Sequence, residues 1–238
     1  MKILLFLIFT VGLIVGSFIN TYSYRIIRNK PVIWDRSRCP CCKEIIKPLD
    51  LIPVFSYILL KGKCRQCAEK IGFRYPLSEI FVGLVFSAIY LKVGLGRELL
   101  PYLFISSVLT AAVFTDLENM IIPNSLVFFG FWGGVILKLF VGTAGVEDML
   151  LGSIAGGMPL LLIGILSRGG MGGGDIKLAA VMGLILGWKL VLVALFISFC
   201  VGGLVGVMLV FFGLKGRKDC IPFGPFLAVG GHFLHTFG

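Results

Sequence analysis

Charged side chains are scarce in this sequence. Asp, Glu, Lys and Arg make up 14% of its 238 residues, where soluble domains hold about a quarter. Hydrophobic residues make up 58%. A soluble core of this size cannot hide that much apolar surface, whereas a bilayer can. Other absences narrow the chemistry. Histidine is confined to His232 and His235 near the C-terminal end, and neither is given a role. No Ser/His/Asp or Cys/His arrangement is visible on the inner side defined below, which argues against nucleophilic catalysis. No Gly-Lys-Ser/Thr follows the glycines at 172–174, so a nucleotide-binding loop is not expected. A convincing internal repeat is missing, against a repeat-built transporter. No small-x-small cleavage site follows residues 3–24, which are expected to form a retained span rather than a removed signal.

What is present reads as an all-α polytopic membrane protein. After the first span, apolar runs recur at about 77–95, 98–115, 121–141, 149–166, 175–187, 190–213 and 222–237, each near the ~20 residues that cross the hydrocarbon. That makes eight, the sixth and eighth short. The expected organisation is a first helix at 1–24, a polar loop at 25–76 and a helical bundle at 77–238. Five Gly-x-x-x-Gly pairs, at 12/16, 130/134, 152/156, 183/187 and 202/206, suit close helix packing.

The net charge of +10 follows topology rather than nucleic acid, which is not expected as a partner. Residues 23–76 hold twelve of the 22 Lys and Arg, and basic short loops face the cytoplasm. With that loop inside, the inner segments carry seventeen basic residues, Arg217 and Lys218 among them, and the outer segments five. Both termini are then outside, and Asp116, Asp175 and the basic loop share the inner side.

Within the loop, Cys39-Pro40-Cys41-Cys42 and Cys64-Arg65-Gln66-Cys67 form two Cys-x-x-Cys pairs. Cys39, Cys42, Cys64 and Cys67 suit one tetrahedral zinc with Zn–S distances of ~2.3 Å, with Cys41 as an alternative ligand. A reducing cytoplasm disfavours disulfides. So small a loop has little core, and a metal would stabilise it. All four positions are filled, so the zinc is structural. Cys200, inside an apolar span, reads as a small core residue, and Cys220 has no partner at metal spacing. The apolar run from Leu49 to Leu60 suits the membrane interface or packing on the bundle, and the basic residues around it suit topology or anionic lipid.

Two aspartates stand out, because acidic groups at the ends of membrane helices are costly and mark function. Asp116 ends the third span. Asp175 begins the sixth, after Gly172-Gly173-Gly174, where glycine permits close approach of backbone or substrate. Two carboxylates sharing one site cannot both ionise easily, so one stays protonated while the other draws a proton from water. A catalytic pair, a helix cap at Asp175 and a proton relay in an ion-coupled transporter stand as alternatives. A zinc-bearing scaffold is a third class. Glu118 falls on a solvated loop. Glu79 enters the second span, as an interfacial ion pair or as part of a site. Asn20 reads as a hydrogen-bond partner for a neighbouring helix.

At these residues the chain resembles the type IV prepilin peptidases, over nearly its whole length. Gly16-Ser17-Phe18-Ile19-Asn20 with Tyr24-Arg25 is similar to the family's opening. Arg36-Ser37-Arg38-Cys39-Pro40 to Cys42 begins the cysteine loop. Asp50-Leu51-Ile52-Pro53-Val54 and Ser56-Tyr57 continue it, and Arg74-Tyr75-Pro76 to Glu79 closes it. Asp116-Leu117-Glu118 with Ile122-Pro123-Asn124 resembles the first catalytic motif. Gly172 to Lys177 fits Gly-x-Gly-Asp, with Gly172 and Gly174 supporting Asp175. Ile221-Pro222-Phe223-Gly224-Pro225-Phe226 resembles the C-terminal segment. The resemblance implies an enzyme of the bacterial inner membrane that serves pili or type II secretion. It would cut prepilins or pseudopilins after a glycine on the cytoplasmic face, with Asp116 and Asp175 activating water. It further implies N-methylation of the new terminus with S-adenosylmethionine, for which Glu79 and the inner basic residues are candidate contacts.

Overall fold

The computed structural model describes residues 2–28, 30–32, 36–142, 145–216 and 219–237, the last four in backbone only. Arg217, Lys218 and the side chain of His235 therefore lie outside the described residues. Within those bounds the chain is helical, and strand pairing is limited to two isolated bridges. It divides into two compact units, Met1–Leu91 and Lys92–Gly238.

The first unit contains α1 (Lys2–Ile26), a 3-10 turn at Pro48–Leu51, the short α2 (Phe55–Leu59) and most of α3 (Arg74–Val93). Gly12 and Gly16 of α1 face the backbone of Val82, Gly83 and Glu79 on α3, as small residues at a helix crossing should. Asn20 donates its amide to Ser78 Oγ at 2.7 Å, which is the interhelical bond expected of it. The Leu49–Leu60 stretch packs no core of its own: Leu49, Phe55, Ile58 and Leu59 are exposed, which fits the interfacial reading better than the packed one.

The second unit contains α4 (Leu99–Asn119), α5 (Asn124–Val141), α6 (Val146–Leu166), α7 (Gly173–Leu186), α8 (Trp188–Phe211) and α9 (Gly224–Phe237). Of the eight expected spans, six form helices long and apolar enough to cross a membrane: α1, α3, α4, α5, α6 and α8. The helices α7 and α9 have 14 residues each, or about 21 Å at 1.5 Å per residue, less than the ~30 Å hydrocarbon.

The shortness of α7 follows from its position. It packs against α4, α5, α6, α8 and α9. Leu178, Ala179, Val181, Met182 and Ile185 are buried on all its faces, as an all-apolar helix requires. The outward faces of α1, α5, α6 and α8 instead expose Phe6, Phe140, Ile165, Phe196 and Phe211, which a bilayer covers. Cys200 belongs to that exposed set and is not a core residue. On a helix that is apolar all round, composition does not say which face turns inward. Glu118 likewise belongs to the last turn of α4, because the helix runs on to Asn119 before Met120 ends it in a left-handed conformation.

The closest crossing joins α6 and α7. A Cβ on Gly152 would collide with the carbonyl of Gly183, one on Gly183 with that of Gly152, and one on Gly156 with that of Ala179. Gly183→Ala is expected to destabilise the protein by about 1–3 kcal/mol, the usual cost of overpacking. Thermal melting in detergent checks this, with Gly203→Ala, which meets open space, as the control.

Candidate active site and metal centre

Each cysteine pair folds as a tight hairpin. In the first, Arg38 bridges Ile45, the Cys39 N–H donates to Glu44 O at 2.9 Å and the Lys43 N–H to Cys39 O at 3.0 Å. In the second, Lys63 bridges Lys70, the Cys64 N–H donates to Glu69 O at 2.8 Å and the Ala68 N–H to Cys64 O at 3.0 Å. Lys43 and Ala68 occupy matching left-handed positions, with φ 62° and 57°. The two turns are thus copies of one knuckle.

They bring Cys39, Cys42, Cys64 and Cys67 together, with all four Sγ atoms within 4.8 Å of one another. Cys39 Sγ and Cys67 Sγ are 3.8 Å apart. A tetrahedron with 2.3 Å Zn–S bonds has edges of about 3.8 Å, so the donor set fits zinc. Cys41 is exposed and outside the cluster. The backbone amides of Cys67 and Gln66 lower the Cys64 thiol to about 7. The Glu69 amide lowers Cys67, but desolvation and the thiols of Cys64, Cys42 and Cys39 outweigh it and push Cys67 up to about 12. Four thiols this close need a cation before all can ionise. The second knuckle is also tied to the 3-10 turn. Arg65 donates to both carboxylate oxygens of Asp50, at 2.9 and 2.6 Å, and holds Asp50 below the usual carboxylate range.

In the second unit, Asp116 and Asp175 are both buried. Asp116 lies one turn before the end of α4, and Asp175 in the first turn of α7. The two carboxyl groups lie near enough to interact electrostatically. Gly174 sits against Ile122, where a Cβ would come within 2.9 Å of the Ile122 side chain. This contact draws the α7 N-terminus onto the chain leaving α4. A Cβ on Gly172 would meet Asp175 Oδ2 at 2.6 Å, so the two motif glycines make room for the aspartate and its neighbour. Lys177 Nζ donates to Asn124 Oδ1 at 2.9 Å, joining the two aspartate motifs beside the site.

The third contributor is α9. The backbone N–H of Gly224 donates to Asp116 Oδ2 at 2.8 Å in a buried bond. The Gly224 Cα lies so near that a Cβ would meet the same oxygen at 2.7 Å. Sequence reasoning placed Gly224 in a family segment without a role; the only signal was its place before Pro225, as the first residue of a helix. Asp175 Oδ1 is buried with no hydrogen-bond partner among the described residues. That is costly for an idle oxygen and suits one that meets water or substrate. The aspartate site and the cysteine cluster belong to different units.

Comparison with known proteins bears on both. Residues 10–93 match the Bacterial Peptidase A24 N-terminal domain, and residues 103–207 match the Type IV leader peptidase family. The chain is 36% identical to a prepilin leader peptidase/N-methyltransferase of Bacillus subtilis (strain 168), over 99% of this chain and 95% of that protein. The chain belongs to the type IV leader peptidase family. Proteins of the same description from Aeromonas hydrophila and Neisseria gonorrhoeae are each 32% identical, over 98% and 94% of this chain and 90% and 87% of theirs. No solved structure matches. The two family matches divide the chain much as its two units do, the cysteine cluster in the first and both aspartates in the second.

Proposed function

We propose that the chain is a membrane aspartic endopeptidase. It cuts the leader from type IV prepilin-like proteins at the cytoplasmic face and methylates the new N-terminus with S-adenosylmethionine. What supports the peptidase reading is a pair of buried aspartates, one from the last turns of α4 and one from the first turn of α7, near enough for their carboxyl groups to interact, with Asp116 bonded to the Gly224 amide. One carboxyl takes a proton from water as the oxygen attacks the peptide carbonyl. The other, protonated, donates to the carbonyl oxygen. Collapse of the tetrahedral intermediate then returns a proton to the leaving amine. The pair titrates as a unit, and the water-poor surroundings strengthen each electrostatic contact.

The methyltransferase reading is supported by the descriptions of the relatives, which name both activities. Cys39, Cys42, Cys64 and Cys67 would hold a structural zinc, whose contribution is to fix the loop. The basic bias of residues 23–76 supports a cytoplasmic loop with both termini outside.

Purified protein in detergent, given a prepilin and S-adenosylmethionine, is expected to release the leader and leave a methylated N-terminus. Proton-linked uptake into vesicles without any cutting would instead restore the transporter. Gly224→Ala is expected to lower kcat for cleavage by about 10- to 100-fold with little change in KM, because it displaces Asp116 without removing it. Steady-state cleavage of a fluorogenic prepilin peptide checks this.

A further inference from the structure

The amide that holds Asp116 sits at a helix start. The first N–H groups of a helix have no partner within it, and that of Gly224 goes to Asp116 Oδ2. Gly224 has no side chain to fix its own direction. The direction of its N–H is set by the plane of the peptide that joins it to Phe223, and that plane is held from the Phe223 side. The Phe223 carbonyl accepts the N–H of Phe226 at 3.0 Å and of Leu227 at 3.1 Å. The Phe223 ring meets two others. One is Phe199 of α8, with centroids 5.2 Å and planes 39° apart, and the other is Phe226 of α9, at 6.1 Å and 58°. Both pairs have the spacing of favourable aromatic contacts. Gly202, one turn on from Phe199, makes room for them, since a Cβ there would come within 3.1 Å of the Phe226 ring. Farther along, a Cβ on Gly230 would collide with the Ala194 carbonyl. Helix α8 is therefore the seat on which α9 rests. The rings stand at the edge of the core: Phe199 is 36% exposed, and Phe223 and Phe226 are half-buried. Burial alone does not account for three of them there.

We propose that Phe199 is a positioning residue for peptide cleavage: its ring seats Phe223 and, through that peptide, aims the Gly224 N–H at Asp116. The role rests on the peptidase reading above. A base must stand within hydrogen-bond reach of the proton it takes, so the Asp116 carboxyl must not turn about its last bond. The Gly224 amide stops that rotation by holding Oδ2. Without the Phe199 ring, Phe223 gains room, the peptide plane moves with it, and the amide no longer points steadily at the carboxyl. Asp116 itself stays, because it belongs to α4. The loss therefore falls on the chemical step and not on substrate binding.

Phe199→Ala in the full chain in detergent is expected to lower kcat for a fluorogenic prepilin peptide by about tenfold, with KM within about twofold of wild type. Phe223→Leu, which keeps apolar bulk but loses the ring contacts, should do the same. Phe199→Tyr, which keeps the ring, should return kcat to within about threefold of wild type. Phe196→Ala, on an exposed face of the same helix, should leave both constants unchanged. The amide itself is read by NMR. Isotope labels on the phenylalanine carbonyl and the glycine nitrogen coincide at four peptide bonds, 129/130, 212/213, 223/224 and 237/238, and the signal missing from Gly224→Ala belongs to Gly224. That signal should move in Phe199→Ala and Phe223→Leu and hold in Phe199→Tyr. Wild-type kcat in Phe199→Ala, or a Gly224 signal that does not move, overturns the positioning role. So does a raised KM at wild-type kcat, which would make Phe199 a substrate contact. Each of these leaves the peptidase reading standing, whereas wild-type protein that cuts no prepilin peptide overturns that reading and this role together.

Discussion

Asp116→Asn and Asp175→Asn are each expected to lower kcat for prepilin cleavage by about 10³-fold or more, with methyl transfer to an already cut substrate retained. General acid and base catalysis contributes about 10²–10⁴-fold per positioned group, and here the groups depend on each other. Asparagine keeps the shape of aspartate but neither accepts a proton from water nor donates one in turn. Removing either carboxyl therefore removes the shared proton on which both roles depend. The folds should survive. Asparagine can still accept the Gly224 N–H at position 116, and a neutral amide at position 175 adds no buried charge. Zinc content and thermal melting report the fold, and single-turnover cleavage reports the chemistry. Full cleavage by either variant would sink the pair.

Zinc is the second large effect. About one zinc per chain is expected in purified protein, and Cys39→Ser, Cys64→Ser and Cys67→Ser should each lose it. Cys41→Ser should not, because Cys41 stands outside the cluster. Structural zinc supplies about 10–16 kcal/mol in small domains, while little apolar surface is buried between residues 36 and 72. Without metal the loop is expected to open, seen as at least tenfold faster proteolysis within 36–72. The second unit should keep its melting transition, since its helices bury their own core. Chelation that strips the metal yet leaves the loop resistant to protease would contradict the structural role.

Much of this was legible in the sequence, for identifiable reasons. Long apolar runs have one economical solution in a bilayer, so the helices were expected where they lie, including the two short ones. The Cys-x-x-Cys spacing prescribes a knuckle, so the four ligands were separable from Cys200 and Cys220. The likeness of the two knuckles was hidden because their neighbours differ: Lys43 and Ala68 share a left-handed backbone but no chemistry.

The helix faces were not legible. A helix that is apolar on every side gives no periodic signal, so Cys200 was misplaced and the centrality of α7 was not anticipated. The Gly224 contact was beyond reach for a different reason. It is a backbone amide that acts across 108 residues of chain, and a glycine before a proline announces a helix start, not a carboxylate partner. Glu79 meets a backbone amide too: its Oε2 accepts the Val54 N–H at 2.7 Å, and no single segment encodes that pairing.

The central claim is that Asp116 and Asp175 act as one unit on one water. The most direct test is the single-turnover rate of the double variant Asp116→Asn/Asp175→Asn against the two singles. Groups that share one proton are non-additive. The double variant should cut prepilin no more than about threefold more slowly than the slower single. Losses that multiply, with the double slower by the product of the two single effects, would mean two independent roles and would contradict the account.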